Sequence, residues 1–483
     1  MKKLSYGLLA LCAIYALLLI PPRSPEAPEF KPSEQPFVWG QNELWQLLEE
    51  GFQVARTLEQ AQLARLVSAK TKSAEQVLRD YESSVRSPDD PIYAKLESNF
   101  FEAAPLIAAM SDRTDWHLRF YDRVRTKMKN DSTTWDLSMK SSRDAIYRSL
   151  YGMRAAVEEI ELQRGSDLMR STLKVKDEPS ATPATEILGI RVHSGDLLVS
   201  RGGSEMSAFI ARANDYPGNF SHVAIIYVEP GTNIPYIVEA HIDKGVTVAD
   251  TSAYLEDTKL RFMVLRPRAD LSAIDANPML GHEAARFVLN EARQRHIPYD
   301  FSMDYFDSSR MFCSEVGSYA YREFGISLWE PKSTVSSEGV VSWLISFGVE
   351  NFFTQLPADL EYDPSLSVVA EWRNRETLAQ DHVDNAVMDA LIARANEGEE
   401  LDYNIWMLPV VRVLKAYSVV LNWTGRVAIV PEGMSPLTVL KNEEFKSRFR
   451  ETRRHTMQMA ADFEEEMGYP PPYWELVDMA NGF

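Results

Sequence analysis

Apolar positions change their rhythm three times along this chain. From Asn42 to about Lys176, stretches such as Leu44-Trp45-Leu47-Leu48, Ala61-Leu63-Leu66-Val67 and Phe100-Phe101-Ala104-Leu106-Ile107 recur at helical spacing, with almost no glycine between them. Breaks fall at Ser87-Pro88-Asp89-Asp90-Pro91, Ser111-Asp112 and Asn130-Asp131-Ser132, so the region reads as a helical bundle or a pair of long hairpins. After a polar, Pro-containing boundary at Asp177 to Thr185 the period shortens. Gly195 to Ser200, His222 to Val228, Pro235 to Ala240, Gly245 to Val248 and Phe262 to Leu265 are short apolar or alternating runs separated by turn residues, which predicts an antiparallel sheet. Helical patterns at Glu205 to Arg212, Gly281 to Arg295 and Cys313 to Phe324 flank those strands, the last stopped by Gly325. Strands beside segregated helices make an α+β domain. The remainder, to Phe483, is again mostly helical, and its most apolar stretch, Ile405 to Trp423, is interrupted by Pro409, Arg412 and Lys415, which favours a buried core helix over a membrane span.

The first residues carry a different signal. Lys2-Lys3 precede an apolar run from Leu4 to Ile20, and Pro21-Pro22-Arg23-Ser24-Pro25 follow. A positive start before a hydrophobic stretch is an export signal, and without a small-x-small cleavage site it reads as a retained anchor. The chain then divides into an anchor (1–22), a Pro-rich tether (23–41), a helical region (42–185), the α+β domain (186–347) and a C-terminal, mainly helical region (348–483). The expected location is the bacterial cell envelope, facing the periplasm, held in the inner membrane by residues 4–20.

Composition narrows the functional classes. With 51 Lys plus Arg against 70 Asp plus Glu the formal charge is −19, which repels phosphate backbones and argues against nucleic acid as a partner. One of the two cysteines, Cys12, lies inside the apolar run, so no disulfide is available to the exported part. Cys313 is therefore a solitary thiol in a compartment that oxidises thiols. It opens a predicted helix, where unpaired N–H groups and the macrodipole favour thiolate over thiol.

A cysteine nucleophile needs a base and the base needs an orienting group. His222 begins an otherwise apolar strand, on the side of Ala224 and Ile226. A hairpin through Glu229-Pro230-Gly231-Thr232-Asn233 brings Glu239 back beside it, with His241 competing for the same place under a change of register. Gly195-Asp196 reads as a turn whose carboxylate caps backbone N–H groups, and Tyr299 and Asp300 lead into the cysteine segment. The eight histidines show no close metal-ligand spacing, no G-x-S-x-G elbow marks a serine hydrolase, and phosphate-cradling glycine loops are absent; neither a cofactor nor a metal is expected.

Gly195-Asp196-Leu197-Leu198, Phe220-Ser221-His222-Val223-Ala224-Ile225, Val238-Glu239-Ala240 with Gly245-Val246, Tyr299-Asp300 and Phe312-Cys313-Ser314-Glu315 together resemble the permuted papain-like amidases. These are the YiiX and YaeF type of bacterial envelope protein, related to NlpC-type cell-wall peptidases and to lecithin:retinol acyltransferase. The order, histidine before cysteine, is the permuted one. The resemblance implies a permuted papain-like fold between helical flanks, with Cys313 as nucleophile, His222 as general base and Glu239 as the orienting third residue; Tyr299, Asp196 and His241 are the candidate substrate-binding positions. It further implies a cysteine amidohydrolase, or an acyltransferase on the same site, acting on peptidoglycan peptides or lipid-linked amides or esters. The alternative is a non-catalytic envelope scaffold, a degenerate papain-like domain that binds lipid or protein.

Overall fold

In a computed structural model of the chain, residues 13–483 are described apart from 23–24, 32–33, 40–41, 111–112, 164–168, 170, 330–332, 425 and 427. The start of the expected anchor, including Cys12, lies outside the described residues, as does the break expected at Ser111-Asp112. Five long helices come first: α1 (Asn42–Thr57), α2 (Gln60–Glu82), α3 (Ile92–Ala109), α4 (Thr114–Asp131) and α5 (Lys140–Gln163). Each of α2 to α5 buries an apolar stripe at helical spacing, for example Leu63, Val67, Ala74 and Leu78 of α2. The end of the tether docks on this bundle, with Phe37 and Trp39 packed around Tyr147.

The central element is a seven-stranded antiparallel sheet. Its strands are β1 (Thr172–Lys174), β4 (Leu197–Gly202), β5 (His222–Val228), β6 (Pro235–His241), β7 (Gly245–Ala249), β8 (Lys259–Pro267) and β9 (Leu366–Trp372), while β2 (Ala184–Ile187) and β3 (Ile190–His193) form a separate hairpin. The order across the sheet is β1-β9-β8-β4-β5-β6-β7. The architecture is the expected α+β one with helical flanks. Two strands, however, come from outside the 186–347 span: β9 pairs with β8, and β1 with β9.

Period-two alternation sorts the sheet residues between two cores. Val223, Ile225 and Val238 face the helices α7 (Leu280–Gln294) and α8 (Cys313–Arg322). Ala224, Ile226 and Ile237 face the opposite side, against Tyr254 and the β2–β3 hairpin. The C-terminal part adds α9 (Glu338–Phe347), α10 (Arg375–Asn396), α11 (Leu408–Trp423), α12 (Pro436–Met467) and α13 (Tyr473–Asn481), with α6 (Glu205–Arg212) lying against α10.

A buried ionic network ties these parts together. Arg154 of α5 reaches Glu371 of β9 at 2.7 Å and also pairs with Glu361, while Arg125 of α4 bonds the same Glu371. Arg261 of β8 forms a forked pair with Glu158 of α5 at 2.7 and 3.0 Å and also meets Asp381 of α10. Such groups are stable in the interior only when paired, so the helical regions and the sheet form one interlocked body.

The stretch Ile405 to Trp423 departs from expectation. It is not a core helix: only 22% of its apolar window is buried. Among the described residues it is the one helix long and apolar enough, by length and composition, to cross a membrane.

Candidate active site

Cys313 is the first residue of α8, after an extended Phe312. Val316 and Ala320 anchor that helix in the core under β5. The segment before it is zipped to Tyr299: Met311 donates to the carbonyl of Pro298 at 3.0 Å, Asp300 donates to Met311 at 3.2 Å, and Tyr299 bridges Met311. Asp300 in turn accepts from the N–H groups of Ser302 and Asp304, which folds the loop back. The same segment is pinned to β7, where Val246 donates to Ile297 at 2.8 Å and Gly245 adopts a positive φ of 71°. A Cβ at Gly245 would come within 2.1 Å of the Ile297 carbonyl, so only glycine allows this approach.

The sulfur lies at the start of β5. Its Sγ is 3.7 Å from the carbonyl oxygen of Ser221, so it sits against the main chain just before His222. Helix α8 belongs to the Val223 face of the sheet, whereas His222 follows the alternation of Ala224 and Ile226. His222 and Cys313 line one cavity of about 430 Å³, whose wall also includes Tyr299, His241 and Ser200. A larger cavity of about 830 Å³ lies between the helical regions beside Trp39, Tyr151 and Tyr473, and contains neither of these groups.

The hairpin pairs Ala224 with Glu239, which sets Glu239 diagonally across from His222 on the same face. Its carboxylate is 1% exposed and joins two imidazoles: Oε2 is 2.6 Å from His222 Nε2 and Oε1 is 3.1 Å from His241 Nε2. The two histidine rings are 5.6 Å apart. Bonding to a carboxylate makes Nε2 of His222 the protonated nitrogen and leaves Nδ1 as an acceptor, the tautomer a general base requires.

Electrostatics at the site depart from the helix-terminus expectation. Burial pushes the Cys313 thiol up to about 11, against the backbone N–H groups of Val223, Ser314 and Cys313 itself, and the charge of Glu239 adds to the rise. Desolvation therefore outweighs the helix terminus, and the resting group is a thiol whose S–H is directed at the Ser221 carbonyl. Burial also lowers the basicity of His222, against the pull of Glu239. For Glu239 burial works the other way, but the bonds from His222 and His241 hold the carboxyl well below the usual range. Burial, then the nearby Cys313 sulfur, lifts the Tyr299 phenol well above its ordinary value.

Asp196 is elsewhere. Its carboxylate accepts from the N–H of His193 at 2.7 Å and takes a forked pair from Arg266, both arms 2.7 Å, beside a different cavity. It holds the turn before β4, as the capping reading had it, and the structure does not bring it to Cys313. Glu315, in the first turn of α8, is fully buried; neither carboxylate oxygen has a hydrogen-bond partner, and burial pushes it up to about 9.

Residues 191–370 match the family described as permuted papain-like amidase enzyme, YaeF/YiiX, C92 family. This segment is a permuted papain-like domain. It takes in β4 to β8, most of β9 and the cysteine helix. No curated protein matches the chain. Among solved structures, that of yiiX from Escherichia coli O157:H7, described as a metalloprotein, is 20% identical, covering 37% of this chain and 97% of that one at a TM-score of 0.29.

The papain-like domain also contains a grouping that linear spacing hid. Ligand atoms of His222, Glu239 and His241 lie within 4.8 Å of one another, close enough to hold a metal ion. The three come from two paired strands, so two of the residues lie 17 and 19 positions from the first; the i, i+2 pair Glu239 and His241 is the available sequence signal.

Proposed function

We propose that the chain is an envelope-facing cysteine amidohydrolase. Cys313 attacks the carbonyl carbon of an amide or ester while Nδ1 of His222 takes the thiol proton, forming a thioester; His222 then returns that proton to the departing amine or alcohol. Glu239 holds the imidazole in the required tautomer and stabilises its charged form, and the Cys313 backbone N–H contributes to stabilising the oxyanion. Water releases the acyl group, and an alcohol or amine arriving first turns the same steps into acyl transfer. Tyr299 and His241 line the cavity where the acyl donor sits. The single observation that carries this reading is the 2.6 Å bond that fixes His222 on the wall of the cavity that Cys313 also lines.

The acyl donors that suit an anchored, envelope-facing enzyme are peptidoglycan stem peptides and lipid-linked amides or esters. Incubating wild-type protein and Cys313→Ser with an envelope extract and comparing products by mass spectrometry tests this. Muropeptide changes select the wall substrate and fatty-acyl changes the lipid one. Identical products from both proteins would favour a non-catalytic scaffold.

The His222–Glu239–His241 group favours one second reading, a metal ion held by two imidazoles and a carboxylate. Each carboxylate oxygen already receives an N–H in the present arrangement, so the group is satisfied without an ion. Metal content of the purified protein, with and without Glu239→Ala, separates the two.

A further inference from the structure

Helix α11 leaves most of its apolar residues uncovered, burying only Leu408, Pro409, Val411 and Ser418. Its charged side chains are taken up by backbone carbonyls: the Arg412 guanidinium donates to the carbonyls of Leu18 and Ile20, both at 2.7 Å, and Lys415 donates to Pro431 and Glu432 at 2.6 and 2.5 Å. Ser418 accepts from the N–H of Val430 at 3.0 Å. The opposite face, carrying Val413, Tyr417 and Val420, is exposed, and two of the chain's most exposed large residues, Trp406 (63%) and Trp423 (83%), stand at its ends. A soluble helix turns such a face inward.

The same surface continues into the other end of the chain. Residues 13–18 are helical, with Ile14 and Leu17 exposed, and Tyr15 donates to the Trp406 carbonyl at 2.7 Å. Two apolar segments nearly 400 positions apart thus present one continuous apolar patch, far beyond the scattered single residues normal on a soluble surface.

We infer that α11 and the adjoining residues 13–20 form a seat in a lipid bilayer, with α11 lying along the interface rather than crossing it. Three observations select lipid. The patch extends the Leu4 to Ile20 run, whose composition suits hydrocarbon. No carboxylate occurs from Ile405 to Trp423 in a chain of net charge −19. Tryptophans at both ends match the headgroup preference of indole. A crossing is disfavoured because Arg412 and Lys415 sit mid-helix bound to protein carbonyls, which would place two charges in the hydrocarbon core. The seat also connects to the catalytic domain. Lys415 grips residues 431–432, and the next residue, Gly433, packs so tightly on Phe301 that a Cβ would lie 2.5 Å from its ring, two positions from Tyr299 of the cavity wall.

The inference stands apart from the catalytic reading and its test has no activity readout. The full chain, carrying Cys12→Ser and Cys313→Ser, receives a single new cysteine by Val420→Cys or, as a control on a distant exposed site, Val85→Cys. Each is labelled with an environment-sensitive fluorophore and reconstituted into phosphatidylethanolamine–phosphatidylglycerol vesicles. The probe at 420 is expected to shift to the blue and to be quenched severalfold more by nitroxide-bearing lipid than the probe at 85. Equal, water-like emission at both positions would overturn the inference. So would a blue shift at 420 that appears without vesicles and grows with protein concentration, which would make the occupant a second copy of the chain.

Discussion

The resting state of Cys313 has a direct kinetic consequence. Its thiol is pushed from an ordinary 9.0 up to about 11 by burial. Two pH units correspond to about 2.7 kcal/mol, so the thiolate fraction at pH 8 falls to about 0.1%, roughly a hundredfold below that of an unperturbed thiol. In a Cys12→Ser background, the rate of Cys313 alkylation by iodoacetamide, followed by peptide mass spectrometry from pH 6 to 10.5, should climb about tenfold per pH unit and still be rising near pH 10. Because the S–H is directed at the Ser221 carbonyl rather than held as an ion pair with the imidazole, His222→Ala should leave that profile nearly unchanged while abolishing acyl transfer. The base is then needed only as the thiol attacks, consistent with catalytic hydrogen bonds that tighten when substrate is bound. A rate that levels off below pH 7, and loses that plateau in His222→Ala, would refute the reasoning by revealing a preformed thiolate–imidazolium pair.

Three further outcomes follow from the same structure. Glu239→Gln removes a charge-assisted bond worth about 1.5–3 kcal/mol, so turnover of an ester substrate should fall by about one to two orders of magnitude with little loss of secondary structure by circular dichroism; an unchanged rate would remove Glu239 from the mechanism. Glu315, pushed up to about 9 in the folded protein, keeps a proton that the unfolded chain releases above about 4.5, so its burden on stability grows between those values; Glu315→Gln should raise the melting temperature at pH 8 and leave it unchanged at pH 4.5, and equal effects at both would contradict the assignment. Arg154→Met takes away the close partner of buried Glu361 and one of the three arginines around Glu371, which keeps Arg125 and Arg373, and should cost about 3–5 kcal/mol in denaturant unfolding, whereas a loss under 1 kcal/mol would show that the network relaxes around the gap.

Much of the papain-like domain is legible because its signals are local. A histidine opening an apolar strand, a hairpin loop of suitable length and a polar residue on the returning strand suffice to bring His222 and Glu239 together, and alternation places them on one face. The ambiguity between Glu239 and His241 resolves into both, since one carboxylate has two oxygens to offer. What escaped is non-local. Strand β1 is three residues long and carries no pattern of its own, and β9 joins the sheet from beyond the cysteine helix. The buried arginines and carboxylates look like surface charge in one dimension and become interior only through partners some 200 residues distant. Helix α11 escaped because charges inside an apolar run signal a core helix, whereas here backbone carbonyls take up Arg412 and Lys415 and most of the apolar residues stay exposed. The thiol was misjudged for a related reason, since a helix terminus is visible in sequence and the depth of desolvation is not.

The central claim is that Cys313 carries the acyl group and His222 puts it there. Intact-protein mass spectrometry with peptide mapping, after brief exposure to a p-nitrophenyl acyl ester near neutral pH, measures this directly. The account predicts an acyl adduct on Cys313 in the wild type, none in Cys313→Ser, and almost none in His222→Ala. An adduct at another residue, or one on Cys313 that forms equally fast without His222, would contradict it.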